Sequence, residues 1–533
     1  MTDVQEAAGF PSRRLAWSTA IFSGATALSR AFGLVREIVV RGFFGVEGAG
    51  INAFTVAFQI PNLVRALVAD AALSSAFVPV FSELLERGER ARAWRVASSL
   101  IWILLLGLSA VTAVFMIAAP WLMSFFGYGS GETGELAVTL SRILFPTVVL
   151  LGIFGIVVGI LNTYEHFTIP ALTPVFWNVA IIVGLVIGVP RAGSEDAELY
   201  IYAGSIVVGT LIQLLLPLPW LSGLDGRLRL AIDWRDPAVK RVFVLMLPVA
   251  LGLGLINVNA LIGTFFAARY IDPTISPSAI DAAFRLYMLP QGMFSVALAT
   301  VLFPTLARLA ARADTEGFRR TVGLGLRQIA FLLVPASVVS AVLAEPIVRL
   351  LYERGEFGPH ATNVVSAALA AFSLGLVFNG AMLMLNRAFF SLQTPWLPTW
   401  VALGNLALNT ALFAVFYRVG TWGIPFAISL ANIAGAGALI YLLRRRLGRL
   451  EGGETLSSTL RITAASAVLG LVAFAVWWAL DEALGRSFGG QLVSLSAALL
   501  AGGAAYLFSC RLLGVRELNA LLSLRARSRP PPA

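Results

Sequence analysis

Five arginines stand inside otherwise apolar segments of this 533-residue chain: Arg30, Arg36, Arg65, Arg142 and Arg285. An arginine at the centre of a membrane-spanning helix costs at least ~2.5–3.5 kcal/mol, so such a residue normally faces a watery cavity or a partner. Guanidinium is planar and always charged, and it grips phosphate oxygens in a bidentate fork. Three or four guanidiniums turned to one cavity would match a pyrophosphate. Local pairing and snorkelling are the competing explanation. Glu37 follows Arg36 directly and Asp281 precedes Arg285 by four residues. That explanation carries most weight for Arg36 and Arg142. Arg30 and Arg36 are six residues apart, about 120° around an ideal helix. They share a cavity only if the helix bends, which Gly33 allows. Pro61 and Pro290 are expected to kink their helices beside the site.

A second polar set consists of amides in the later spans: Asn257, Asn259, Asn405 and Asn409. Asn259, Asn405 and Asn409 are candidates for a sodium site, since amide oxygens can coordinate a cation but cannot carry a proton. No carboxylate falls deep in these spans, and the nearest, Asp281 and Glu345, sit toward helix ends. The expected driving force is therefore the membrane potential, worth about 2.3 kcal/mol per charge per 100 mV, with sodium binding secondary. A metal centre is not expected. His166 and His360 lie far apart, and the single cysteine, Cys510, makes neither a disulfide nor a cluster. Lys240, the only lysine, stands in Asp236-Pro237-Ala238-Val239-Lys240, which is no phosphate-cradling glycine loop. Neither a zinc signature nor a G-x-S-x-G elbow is present. The chain reads as a non-enzyme without a cofactor.

The elements that must position these residues are transmembrane helices. The chain is 58% hydrophobic and 13% charged, where a soluble protein carries about 25% charged residues. Apolar runs long enough to span a bilayer follow one another. They give an all-α polytopic protein of about fourteen spans, the first near 16–40, the second near 52–72 and the last near 490–513. Leu73–Leu84 prolongs the second span as a bent continuation or a re-entrant piece. The apolar run after Arg13 and Arg14 continues to Val40, too long for a signal peptide. At about 1.5 Å per residue, Arg30 lies about 21 Å along the first span, Arg65 about 20 Å along the second and Arg285 about 9 Å into the eighth.

The net charge of +10 reads as cationic loops on the cytoplasmic side rather than as a nucleic-acid surface. Arg444, Arg445, Arg446 and Arg449, and the stretch Arg308 to Arg327, are the clearest anchors. Gly127–Glu135 lacks Lys and Arg and reads as external. Both termini come out cytoplasmic, in a bacterial cytoplasmic membrane. An internal repeat sets the organisation. Asn52 to Pro61 and then Pro79 is echoed by Asp281 to Pro290 and then Pro304. Leu161-Asn162 before Pro170 is echoed by Leu385-Asn386 before Pro395. Six spans separate the copies, which implies two parallel six-helix lobes around a central cavity. The expected domains are 1–230, 231–450, and 451–533 with two extra helices and a short cytoplasmic tail.

Several stretches carry a resemblance. These are Ser29-Arg30-Ala31-Phe32-Gly33-Leu34-Val35-Arg36-Glu37; Asn52 through Pro61-Asn62-Leu63-Val64-Arg65; Ala76-Phe77-Val78-Pro79; Arg285-Leu286 before Pro290-Gln291-Gly292; Arg354-Gly355-Glu356-Phe357; and Asn386 to Pro395. In order and spacing they resemble the MurJ (MviN) family of lipid II flippases, within the multidrug/oligosaccharidyl-lipid/polysaccharide exporter superfamily, over roughly residues 15–445. The resemblance implies alternating access that moves lipid II, the undecaprenyl-pyrophosphate peptidoglycan precursor, to the external leaflet. It carries functional arginines to Arg30, Arg36, Arg65 and Arg285, with Asn52 and Asn62 counted beside them. It also implies cell-wall synthesis and division proteins as partners. The chain departs from the family in having Asn52 for an Asp, Ala66 for a second Arg, Asp70-Ala71 for Glu-Gly, and Phe284 for an Asp.

Other readings are a flippase for another lipid-linked oligosaccharide, a multidrug exporter, an enzyme on polyprenyl-phosphate sugars, and a passive scaffold. Export of cationic drugs favours buried carboxylates over arginines. The enzyme would need a base or a metal-binding carboxylate cluster on a loop, and a scaffold has no need of deep arginines. The orientation predicts that a cysteine at Ser130, with Cys510 replaced, reacts with an impermeant thiol reagent in intact spheroplasts. Labelling only after lysis would contradict it.

Overall fold

The computed structural model describes residues 13–68, 71–448 and 452–518. Every regular element among them is helical. In chain order these are α1 (Arg13–Phe44), α2 (Ala49–Val68), α3 (Ala71–Glu86), α4 (Arg90–Phe125), α5 (Gly131–Leu144), α6 (Pro146–Thr163), α7 (Thr168–Gly188), α8 (Glu195–Leu215) and α9 (Leu218–Leu221). Then come α10 (Pro237–Phe266), α11 (Ser276–Pro290), α12 (Val296–Ala311), α13 (Thr315–Val342), α14 (Ala344–Tyr352), α15 (Pro359–Ser373) and α16 (Leu376–Ser391). The last four are α17 (Trp396–Phe416), α18 (Gly423–Leu447), α19 (Gly452–Leu484) and α20 (Phe488–Leu512).

Eleven helices among the described residues are long and apolar enough to cross a membrane, or twelve with the bent pair α15–α16. The charge-bearing α1 and the broken α2–α3 are the two further helices that an arrangement of fourteen spans needs. The count of fourteen is compatible with this structure and is not fixed by it. The segment expected as a continuation of the second span is a helix of its own, α3. Asp70, at the join, lies outside the described residues, as do the termini.

The chain divides into two compact units. One holds residues 1–44 and 48–265, the other 45–47 and 266–533. Their internal pairings correspond helix by helix. In the first unit α2 packs on α5, α3 and α4 pack on α6, and α5, α6 and α7 pack on α8. In the second α11 packs on α15, α12 and α13 pack on α16, and α15, α16 and α17 pack on α18. The proline pairs read from the sequence fall on matching helices, Pro61 in α2 with Pro290 in α11, and Pro79 in α3 with Pro304 in α12. The repeat is thus structural, and both copies run in the same order. One element breaks the correspondence. α1 packs on α7, whereas α10, its counterpart by order, groups up to Phe265 with the first unit.

The middle helix of each unit is interrupted and closely packed. Pro146 opens α6 directly after α5, and α15 and α16 meet at a bend of 43°. Small residues let neighbours approach. A Cβ on Gly159 would lie 2.6 Å from the Phe77 ring of α3, and one on Gly380 would lie 2.3 Å from Leu333 of α13.

The extra pair, α19 and α20, packs on itself and on α13. Ala330, Phe331 and Val334 of α13 share a buried cluster with Ile462, Ala465 and Leu469 of α19 and with Tyr506 and Cys510 of α20. Charge fixes both ends of this dock. Arg327 meets Glu517 at 3.1 Å, and buried Arg349 donates to Asp481. Between them the Tyr506 hydroxyl donates to the Phe331 carbonyl at 2.7 Å. Removing one partner of such a pair costs about 3–5 kcal/mol when it is fully buried.

Candidate functional site

The arginines divide by what surrounds them. On α1, Arg36 is buried. Its guanidinium lies 3.6 Å from Glu37 and 4.8 Å from the centre of the Trp177 ring on α7. Arg41 reaches the same carboxylate from one turn further, at 2.8 Å. Trp177 in turn donates from Nε1 to Thr210 of α8 at 3.2 Å. Two arginines, one carboxylate and an indole face therefore clamp α1 to α7. Arg30 differs. It is exposed and makes no hydrogen bond or ion pair with a described residue. Gly33 lies between them in an unbroken helix, with open space where a Cβ would be. The two arginines thus have different surroundings.

On α2, Asn52 is fully buried and its amide donates to the Gly48 carbonyl at 2.8 Å. This bond ties down the start of the helix. Pro61 stands inside α2 without ending it. One residue on, the Asn62 carbonyl oxygen accepts from Arg65 Nε and Nη2 at 3.2 and 2.8 Å, while its amide donates to Asn257 of α10 at 3.4 Å. Asn62 therefore fixes the direction of the Arg65 fork and joins α2 to α10. Arg142 donates to the Met116 carbonyl of α4 at 3.1 Å.

In the second unit Arg285 is held by Asp281, four residues before it, with contacts of 2.9 and 3.3 Å. Its side chain remains 37% exposed, so the pair stays open to a competing anion. Pro290 ends α11, and the chain continues through a π-helical turn, Gln291–Ser295, into α12. Turns of this kind often mark functional positions. Gln291 donates to Asn379 of α16 at 2.9 Å, and Asn379 donates to the Tyr287 hydroxyl at 3.0 Å. Arg387 lies over the Phe303 ring at 5.4 Å.

The amide set is not assembled in one unit. Asn259 is on α10 in the first, Asn405 and Asn409 on α17 in the second. Asn405 and Asn409 are four residues apart, on one helix face. The amide oxygens of all three are buried and have no hydrogen-bond partner among the described residues. A buried acceptor without a donor is costly and is what a cation would satisfy. No group of three or more acidic, His or Cys side chains is placed to hold a metal among the described residues.

Outside the spans, Arg92 binds both oxygens of Asp236 at 3.1 Å and holds that carboxyl below its usual range. This contact has full strength at neutral pH and weakens as pH falls through the lowered value. Burial, with Asp225 adding to it, pushes the Tyr164 hydroxyl up to about 12.

Sequence reasoning missed Trp177, Asn257 as the partner of Asn62, and the Gln291–Asn379–Tyr287 chain. Only Gln291 had a local signal, its place after Pro290. The others are partners across helices, for which spacing along one helix gives no sign.

The family model described as lipid II flippase MurJ matches residues 42–496. The chain is 34% identical to a probable lipid II flippase MurJ of Vibrio cholerae, over 95% of this chain and 97% of that protein. It is 31% identical to the lipid II flippase MurJ of Burkholderia cenocepacia, over 80% and 83%. Its fold resembles a solved lipid II flippase MurJ in an inward closed conformation, with a TM-score of 0.76 at 24% identity, over 94% of this chain and 99% of that one. It also resembles an inward-facing multidrug transporter of the MATE family, with a TM-score of 0.70 at 17% identity, over 81% and 99%.

The contrast between the two α1 arginines gives a prediction. Arg36→Ala should lower the melting stability of the purified protein by on the order of 2 kcal/mol, because it strips Glu37 of one cation and Trp177 of its contact. Arg30→Ala should leave stability unchanged. Equal melting of the two variants would contradict the division.

Proposed function

The chain belongs to the lipid II flippase MurJ family, and from that premise we propose that it carries lipid II from the cytoplasmic to the external leaflet by alternating access. It is a multi-pass membrane transporter and not an enzyme. The observation that supports the substrate is identity sustained along nearly the whole length of a named relative. The side chains supply the chemistry. Arg30 offers an exposed guanidinium with no partner among the described residues. Arg65 is aimed by Asn62. Arg285 is oriented by Asp281 and remains partly exposed, where a phosphate can compete for it. Each grips a pyrophosphate oxygen pair in the bidentate manner of guanidinium. Arg36 and Asn52 support this set by fixing α1 and the start of α2, and do not themselves touch the substrate.

The protein resides in the bacterial cytoplasmic membrane with both termini inside, and works beside cell-wall synthesis and division proteins. The potential, negative inside, draws the unloaded cationic carrier toward its inward-open state. Bound pyrophosphate neutralises the arginines and releases it to open outward. Sodium at the buried amide oxygens of the asparagine set is a secondary contribution. Depletion of the protein should make lipid II accumulate in the inner leaflet. In cells that express it, collapsing the potential should stop exposure of lipid II on the outer face, and collapsing the pH gradient alone should not. If exposure survives loss of the potential and stops with the pH gradient, a proton-carrying carboxylate replaces this scheme.

A further inference from the structure

Between α9 and α10 the first unit carries an ordered irregular strap, bent at Leu230 and turning at Trp234–Arg235. Ser98 of α4 accepts from the Arg229 amide at 3.0 Å, and Ser99 accepts from the Asp233 amide at 3.0 Å. Trp102 donates from its indole nitrogen to the Arg229 carbonyl at 3.2 Å. At the strap's ends, Trp94 Nε1 donates to Asp225 at 3.4 Å and Arg92 holds Asp236. The strap is thus bonded along the foot of α4 mainly through its backbone, which leaves its side chains free.

Those side chains alternate. Leu228, Leu230, Ile232 and Trp234 are exposed by 36%, 82%, 55% and 64%. Arg227, Arg229, Asp233 and Arg235 occupy intervening positions. The four apolar groups fall within seven residues and all stand exposed, so they make up the strap's outer edge. A bare apolar edge of this kind in water is costly and marks a contact surface. Two observations name its partner. First, α4 carries an exposed apolar stripe at helical spacing, Leu106, Val114, Ile117, Trp121 and Phe125. In a membrane span such a stripe faces lipid, and Trp102, which bonds the strap, stands one turn below Leu106. The strap edge therefore continues the lipid-facing surface at about the depth where the span begins. Second, the charge is suited to an anionic surface. Asp225, Asp233 and Asp236 are all engaged within the protein. Arg227, Arg229 and Arg235 form no ion pair with a described residue.

We propose that the strap 228–234 is an interfacial anchor, seating its apolar edge at the headgroup–acyl boundary of a leaflet that contains anionic phospholipid. The orientation proposed above makes that leaflet the cytoplasmic one. Apolar side chains with a tryptophan and flanking arginines suit this layer. The anchor holds the foot of α4 at a fixed depth through the serine contacts.

The test uses the full-length protein with Cys510→Ala, in lipid discs of phosphatidylcholine with or without one part of phosphatidylglycerol. Spin labels are placed in turn on cysteines at Arg229, Leu230 and Ile232. These positions are exposed and the strap is held by its backbone, so its attachment survives the substitutions. Labels at 230 and 232 should collide with oxygen in preference to a water-soluble nickel chelate, by a ratio several-fold above that at 229. Phosphatidylglycerol should raise the ratio, and Arg227→Gln with Arg235→Gln should remove that increase. Equal ratios at all three positions would overturn the anchor, and indifference to phosphatidylglycerol would overturn its anionic preference. Protection seen in native membranes but absent from the discs would assign the edge to a protein partner and refute the proposal.

Discussion

Charge held in an apolar surround must be paired, and this requirement organises the chain. Arg36 and Arg41 share Glu37 and thereby fasten α1 to α7. Arg327 with Glu517 and Arg349 with Asp481 fasten the extra helices to α13 and α14. A buried pair of this kind adds little net stability over apolar packing, but breaking it is expensive. Such pairs therefore hold helices in register. Against that background Arg30 stands out, because it lies on the same helix as the clamp and has no engagement of its own among the described residues. This contrast motivates the proposed role of Arg30 in binding the anionic substrate.

The same reasoning shows how far the sequence could be read. The helical class, the repeat and the place of most breaks were legible, because apolar length and proline position act locally. The echo of Pro61 in Pro290 survives as matching helix pairings in both units. What was not legible is which helix faces which. Arg36 was weighed between cavity and local pairing, and Glu37 was visible beside it, but Trp177 is 141 residues away. Asn52, where the family usually has Asp, is buried, and its amide donates to the Gly48 carbonyl. Asn257 stood among the amides of the later spans, and it accepts a hydrogen bond from Asn62. For Arg36 and Asn62 the deciding contact is between helices, and one helix's periodicity does not contain it.

Membership in a flippase family gives these contacts a consistent purpose. A carrier of a pyrophosphate lipid needs cations that are directed but not consumed by internal pairing. The Asn62 amide oxygen orients Arg65, and Asp281 orients the partly exposed Arg285 through both carboxylate oxygens. Rigid helices clamped elsewhere by full ion pairs supply the frame. The paired arginines thus bear the structural load, and binding is the proposed role of Arg30, Arg65 and Arg285.

The most direct measurement is equilibrium binding of lipid II to the purified protein in lipid discs, with Arg30→Ala, Arg65→Ala and Arg36→Lys compared with the unaltered chain. The account predicts at least tenfold weaker binding for the first two, about 1.4 kcal/mol, and near-unaltered binding for Arg36→Lys in protein that remains folded. Unchanged affinity in both alanine variants, alongside loss of binding in Arg36→Lys, would contradict it.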